Sequence, residues 1–469
     1  MAVGITGLKS LASRRLIRVL AIGLVLASGM IMRLWLPGDF EFKRDEALAL
    51  AVGGDWLDRP GIATHGLRTS LGLRNPPFSI YLFALIHALS GGDPTLGGLA
   101  VIVANIGGLI LALIWLGRES APLGRFWAFW ALGLLCLNPW LVINSRKIWA
   151  QNLLFPLMMV AVWGLSSIWS REGKWPRVVA GLVSLVAATQ VHLSGVFMGV
   201  GFALGMLVFW PRERRRLLPI VFAIGAGLSL LFSLPWLPHL FRFLAENPLH
   251  SQRLTAGAPL VHVLPMFFGI WSGEGIFSLG YYFGPGEFRR FGTEMGGIWA
   301  VVQVLAILIL IGGWIFGMAE VLHETRRRAW SSMVAPLCFG LVGFFVALLV
   351  SGIRPLPHYA LVAALPATVF LAQGFSALDA RLASARARIL ARAAGLLVLT
   401  ACVWTSVGFM TYIHVHRGTG GDYGLVLHEK VRNARRLLES KGGGPVSFET
   451  YYLVRWLAGK KTQPPPEFY

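Results

Sequence analysis

The sequence predicts an all-α polytopic membrane protein: a bundle of about eleven transmembrane helices, juxtamembrane helices on the outer face and a small C-terminal extracytoplasmic tail. Three observations predict it. Of 469 residues, 55% are hydrophobic and only 14% are charged, with a mean hydropathy of +0.64, more apolar surface than a soluble chain of this size can bury. Apolar runs of membrane-crossing length recur from end to end. Arginine gathers in alternate loops between them.

The first run, within "MAVGITGLKSLASRRLIRVLAIGLVLASGM", continues through "IMRLWLP". That is longer than a signal-peptide core, so it reads as a retained helix. The runs lie near 16–36, 97–117, 125–143, 150–169, 178–193, 195–210, 217–238, 296–320, 333–351, 359–378 and 393–412. The stretch from Val178 to Trp210 is too long for one helix and divides at "HLSG". No repeat of fixed period is present. Cys136, Cys338 and Cys402 all fall inside apolar runs, without metal-ligand spacing or a disulfide framework, and read as small buried hydrophobes.

The net charge is +20. In a soluble protein this would suggest nucleic acid; here it reads as cytoplasmic loops facing anionic lipid, with no nucleic-acid partner. Six loops, "KSLASRR", "GRESAPLGR", "SREGKWPR", "PRERRR", "HETRRR" and "DARLASARARILAR", fall on one side if there are eleven spans. The positive-inside rule makes that side the cytoplasm. The expected topology is a plasma or inner-membrane protein with its N-terminus inside and its C-terminus outside. The expected domains are a transmembrane catalytic unit over 1–412 and a tail over 413–469, the tail reading as a helix, a glycine turn, a short strand and a second helix.

The outer face carries the unusual sequences. Directly after the first span, "GDFEFKRDEALAL" packs Asp39, Glu41, Lys43, Arg44, Asp45 and Glu46 into eight residues. The same outer segment holds "DEALALAVGGDWL" and "PPFSIYLFALIHAL", each too short to span and read as an interfacial helix. A second long outer segment, 239–295, mixes Arg, aromatics and Gly, and two short outer turns, "NSRKIWAQN" and "GIRPLPHY", are basic on the wrong side. Such residues need an anionic partner or a functional reason.

This order of motifs resembles the GT-C integral-membrane glycosyltransferases, in the branch of the protein O-mannosyltransferases and lipid A aminoarabinose transferases. It comprises a first helix, an outer Asp-Glu pair, a Pro-Pro aromatic helix, "NPWLVINSRKIWAQNLLFPL" and a late "RPLPHYALVAALPA", over roughly residues 15 to 412. The resemblance implies a polyprenyl-phosphate-linked sugar donor, a lipid, glycan or protein acceptor, transfer with inversion on the outer face, and Asp45 of the Asp45-Glu46 pair as the catalytic carboxylate. Some relatives carry a second acid a few positions after the "SR" motif, where this chain has Gln151 and Asn152. No obligatory metal or other cofactor is therefore expected, a divalent cation being the one candidate.

The chemistry supports the same residues. An outer-face donor arrives on a lipid, with its reactive carbon at the interface where residues 38–50 emerge. A hydroxyl acceptor needs a carboxylate to take its proton, and the leaving phosphate needs cations. Arg146, Lys147 and Arg354 are the expected phosphate ligands, with His358 and Tyr359 beside them. Arg74, Asn152, His192 and Arg253 complete the candidate substrate contacts. Bland alternatives stand beside these roles: Asp45 and Glu46 as a helix N-terminus, Arg146 and Lys147 as interface anchors, His192 as a hydrogen-bonded helix-end histidine. Two other functions fit the composition. One is an O-antigen ligase or polymerase-type transferase built on the 239–295 loop. The other is a lipid or solute transporter, disfavoured by the scarcity of charge within the spans.

Overall fold

The computed structural model describes residues 3–68, 73–118, 123–170, 174–246, 279–327, 333–351, 357–440 and 446–465. Each of the eleven apolar runs coincides with helix. In chain order the helices are α1 (Val3–Leu34), α2 (Arg44–Asp58), α3 (Phe78–Ser90), α4 (Pro94–Arg118), α5 (Arg125–Leu137), α6 (Pro139–Asn144) and α7 (Leu154–Leu165). There follow α8 (Trp175–Val191), α9 (Leu193–Phe209), α10 (Leu218–Ser233), α11 (Leu237–Glu246), α12 (Glu287–Met295) and α13 (Gly297–Arg327). The last are α14 (Val334–Ser351), α15 (Ala364–Arg381), α16 (Ala385–Val415), α17 (Leu427–Ser440) and α18 (Phe448–Leu457). Among the described residues there is no strand, only isolated bridges such as Glu41 with Val426. Seven helical stretches are long and apolar enough to cross a membrane by length and composition, and shorter apolar helices join them in the bundle. The chain is a multi-pass all-α membrane protein.

Helix contacts in the bundle depend on small residues, as expected where apolar burial gives helices no preference for each other over lipid. A Cβ on Gly343 would lie 2.6 Å from the Gly201 Cα, so α9 and α14 touch backbone to backbone. The division at "HLSG" is local: His192 leaves the helical conformation with φ −158° and ψ 147°, and its Nδ1 accepts from the Ser194 amide at 3.2 Å to start α9. Arg33 is almost wholly buried. Its guanidinium donates to the carbonyls of Cys136 at 2.6 Å and Leu135 at 3.2 Å, tying the C-terminal end of α1 to the end of α5 and satisfying carbonyls that α5 leaves open.

The segments α2 and α3 form helices, and they pack on each other. A Cβ at Gly53 would meet the Phe83 carbonyl oxygen at 2.4 Å, and Ala47, Leu50 and Ala51 of α2 are buried. The tail's expected short strand is absent from its described part. Ser447 instead caps α18, its side chain accepting from the Thr450 amide, because a Ser followed by an apolar amphipathic run starts a helix as readily as it ends a strand. The tail is also no appendage. The Leu427 amide donates to the Phe40 carbonyl at 3.0 Å, Tyr423 Oη to the Asp39 carbonyl at 2.5 Å, and Lys430 Nζ to the Phe42 carbonyl at 2.6 Å.

Candidate active site at the end of the first helix

The charged segment after α1 leaves the helix through a tight turn. Leu36, a non-glycine residue, sits at φ 51° and ψ 63°, a left-handed conformation that needs outside support. Arg146 supplies it: Nη2 donates to the carbonyls of Trp35 at 2.8 Å and Leu36 at 2.9 Å, and the guanidinium lies over the Phe40 ring at 5.0 Å. Arg146 is therefore buried beneath the turn.

Beyond the turn, acids and bases alternate. Glu41 lies between two ammonium groups, Lys43 Nζ at 2.6 Å and Lys147 Nζ at 2.7 Å. Lys147 Nζ also reaches Glu46 at 3.5 Å and lies 3.7 Å from the centre of the Trp149 ring. Lys43 Nζ continues to the tail, bonding both the carboxylate and the carbonyl of Asp422 at 2.8 Å. Glu46 is the third residue after the N-cap of α2, and its Oε2 accepts from the Lys43 amide at 2.7 Å, the returning half of a capping box. Burial, set against Lys147 and reinforced by Glu41 and Asp45, pushes the Glu46 carboxyl up to about 7. For Lys147, burial alone would lower the pKa, but Glu41 and Glu46 outweigh it and hold the ammonium above its ordinary value. Lys43 is raised in the same way, with Glu41 and Asp422 overcoming its burial.

Asp45 takes the opposite direction from its neighbour. One residue earlier on α2, it is exposed and lines a cavity of about 480 Å³ together with Lys43, Arg44, Arg68 and Arg74. Trp149 Nε1–H donates to Asp45 Oδ2 at 3.0 Å. The far wall is aromatic: the Trp149 and His358 rings are 4.6 Å apart, His358 and Tyr359 4.8 Å, and His192 and Tyr359 5.3 Å. Gln151, Tyr281 and Asp422 also face the cavity. The arrangement is an oriented carboxylate among cations and flat rings, at one end of an apolar bundle.

Of the residues expected from the sequence, Asp45, Arg74, His192, His358 and Tyr359 converge on this cavity. Glu46, Arg146, Lys147 and Asn152 are buried behind it and are absent from its lining. Asn152 is held inward, its Nδ2 donating to the Lys147 carbonyl at 2.9 Å, and Gln151 takes the outward position. Arg253 and Arg354 lie outside the described residues. Residues not foreseen in the site are Trp149, Tyr281, Arg68 and above all Lys43 and Asp422. Lys43 was visible beside Asp45 in the motif; Asp422 had no local signal. Among the described residues no three His, Cys, Asp or Glu side chains converge to hold a metal. Of the cavity's two carboxylates, Asp422 is occupied by Lys43. A three-ligand metal centre does not fit these side chains.

No family model and no curated protein sequence matches the chain. Solved structures do. The chain is similar to the crystal structure of ArnT from Cupriavidus metallidurans in the apo state, with a TM-score of 0.56 at 15% identity over 94% of this chain and 85% of that one. The same enzyme bound to undecaprenyl phosphate gives a TM-score of 0.53 at 14% identity, over 93% and 84%. The Archaeoglobus fulgidus oligosaccharyltransferase in complex with Zn and sulfate gives 0.54 at 14% identity, over 95% of this chain and 57% of that one. Likeness at such identity is a likeness of architecture, and the architecture is the one the motif order resembled: the chain has the fold of the GT-C membrane glycosyltransferases.

Proposed function

We propose that the chain is an inverting glycosyltransferase of the outer face of the plasma or inner membrane. It would move a sugar from a polyprenyl-phosphate-linked donor to a lipid, glycan or protein hydroxyl. The observation that carries this reading is the pairing of Asp45 with Trp149 at the wall of a cationic, aromatic-lined cavity. The neighbours lend it support, since one is bound to undecaprenyl phosphate and another is in complex with an inhibitory peptide and a dolichol-phosphate.

In this reading the acceptor hydroxyl attacks the anomeric carbon as the bond from that carbon to the phosphate oxygen breaks. Asp45 accepts the hydroxyl proton. The bonding electrons leave with polyprenyl phosphate, whose charge rises from about −1 towards −2, and Lys43, Arg68 and Arg74 are the lining cations that stabilise it. Glu46 is withdrawn into a capping box and Asp422 into an ion pair, which leaves one carboxylate for the reaction. A single displacement inverts configuration. Arg146 and Lys147 are assigned as the framework beneath the site, His358 and Tyr359 as its sugar-facing wall, and His192 as a helix cap at its edge. The Arg-rich loops support a cytoplasmic location for the opposite end of the bundle.

Purified protein incubated with a synthetic polyprenyl-phosphate sugar and candidate acceptors should form product of opposite anomeric configuration to the donor, read by NMR. Retention of configuration, or donor binding without transfer to any hydroxyl acceptor class, would sink the proposal.

A further inference from the structure

At the end of the bundle opposite the site, α1, α4 and α5 enclose a second recess of about 690 Å³. On an α-helix, the 15 residues from Arg18 to Arg33 span roughly 22 Å, so this recess lies most of a membrane thickness from the cavity beside Asp45. Its walls are apolar, with Ile22 from α1, Leu113 from α4 and Phe129 and Leu132 from α5. Its rim carries three arginines from three helices: Arg18 of α1, Arg125 at the start of α5 and Arg392 of α16. Arg392 is partly neutralised, its Nη2 lying 2.8 Å from Asp379 Oδ2, and its guanidinium lies 5.6 Å from the Phe126 ring centre. Among the described residues Arg18 and Arg125 are exposed, and Asp379 is the one carboxylate paired with any of the three.

We infer that this recess is a seat for an anionic phospholipid, which places its phosphate among the three guanidinium groups and an acyl chain against Leu113, Phe129 and Leu132. Charge decides the occupant. Three cations against one carboxylate leave a surplus that a zwitterionic lipid matches poorly and an anionic headgroup matches well. The planar donors of arginine suit phosphate oxygens. Isolated arginines at helix ends could simply reach the headgroup layer, but here they ring a concavity whose apolar depth no other part of the described chain fills. The lipid would join α1, whose outer end carries the catalytic segment, to α5 and α16.

The test uses the full-length purified chain, delipidated in neutral detergent. Phosphatidylglycerol, phosphatidylcholine with the same acyl chains, and inorganic phosphate are titrated separately, reading the melting temperature and lipid retention by native mass spectrometry. Phosphatidylglycerol should bind and raise the melting temperature; the other two should not. At about fivefold per guanidinium, the Arg18→Gln/Arg125→Gln double variant should lose roughly 25-fold in affinity, with its lipid-free melting temperature unchanged because both residues are exposed. Leu113→Trp keeps every charge and fills the recess, and should also weaken binding. Equal stabilisation by phosphatidylcholine, or wild-type affinity in either variant, would overturn the inference. So would an equal effect of inorganic phosphate, which would mark a site for soluble anions. None of these readouts involves sugar transfer, so the inference stands or falls apart from the proposed activity.

Discussion

Trp149 and Asp45 come from elements more than a hundred residues apart, and the indole N–H donates to the carboxylate at 3.0 Å. The same ring faces Lys147 Nζ at 3.7 Å on one side and packs against His358. The donor that orients Asp45 is thus held between the buried ion-pair layer and the cavity wall. A carboxylate held by one N–H keeps its second oxygen available for a proton, which suits a general base.

Asp45→Asn keeps the shape and the bond to Trp149 but cannot take a proton. Turnover should fall by about a hundredfold to ten-thousandfold, with affinity for polyprenyl phosphate unchanged. Trp149→Phe keeps the ring and loses the N–H. It should cost less, about tenfold in kcat at roughly one hydrogen bond's worth of orientation. Near-normal turnover in Asp45→Asn would remove the base from this position.

Arg146 should behave as a structural residue. Arg146→Lys keeps the charge but cannot bridge two carbonyls, and Arg146→Ala takes this donor from the Trp35 carbonyl and leaves the carbonyl of the left-handed Leu36 with the Asp39 amide alone. The alanine variant should lose about 3 kcal/mol of stability, seen as a lower melting temperature in detergent. In whatever fraction remains folded, affinity for polyprenyl phosphate should stay near wild type. A selective loss of phosphate affinity at unchanged melting temperature would instead make Arg146 a ligand.

The bundle was legible in the sequence because membrane spans are written in composition: a run of about twenty apolar residues has few other fates. The segment holding the candidate site also stood out, since six charged residues after a span demand an explanation. The division of labour within it was not. Whether Arg146 faces phosphate or supports Leu36 depends on a turn that packs against it from more than a hundred residues away. Asp422 enters the cavity only because the tail folds back over residues 39–43. One part could have been read locally, since Glu46 stands three residues after Lys43, the spacing of a capping box.

Glu46 makes the site's surroundings sensitive to pH. Its carboxyl is pushed up to about 7 by burial and its acidic neighbours, from an ordinary 4.5. The folded chain holds this proton more tightly than the unfolded chain. The group therefore favours folding below about pH 4.5 and loses that contribution progressively as the pH rises to about 7. Lys147, raised from an already high value, stays charged throughout this window. Glu46→Gln removes the titration. The melting temperature of the variant minus that of the wild type should therefore rise between pH 5 and pH 8, by an amount corresponding to a few kcal/mol. A pH-independent difference would mean Glu46 is ionised in the folded chain across the whole range.

In the proposed reaction, Lys43 is a cavity cation placed for transition-state work. Its ammonium is fixed by Glu41 at 2.6 Å and Asp422 at 2.8 Å, yet it remains part of the cavity lining, so it is pre-oriented without being sealed off. In the proposed transfer the donor phosphate is a diester with one charge, whereas the leaving polyprenyl phosphate develops a second. A fixed cation therefore gains more from the departing group than from the bound donor, and its loss should appear in kcat before KM. Lys43→Gln should lower kcat by about a hundredfold while the donor KM changes only a few-fold. Inhibition by polyprenyl phosphate, which mimics the departing group, should weaken more than donor binding does. Lys43→Arg should restore part of the rate, because charge matters more than reach. Equal losses in donor and product affinity with kcat intact would show that Lys43 only binds. No loss in either would leave Arg68 and Arg74 as the cations that meet the leaving phosphate.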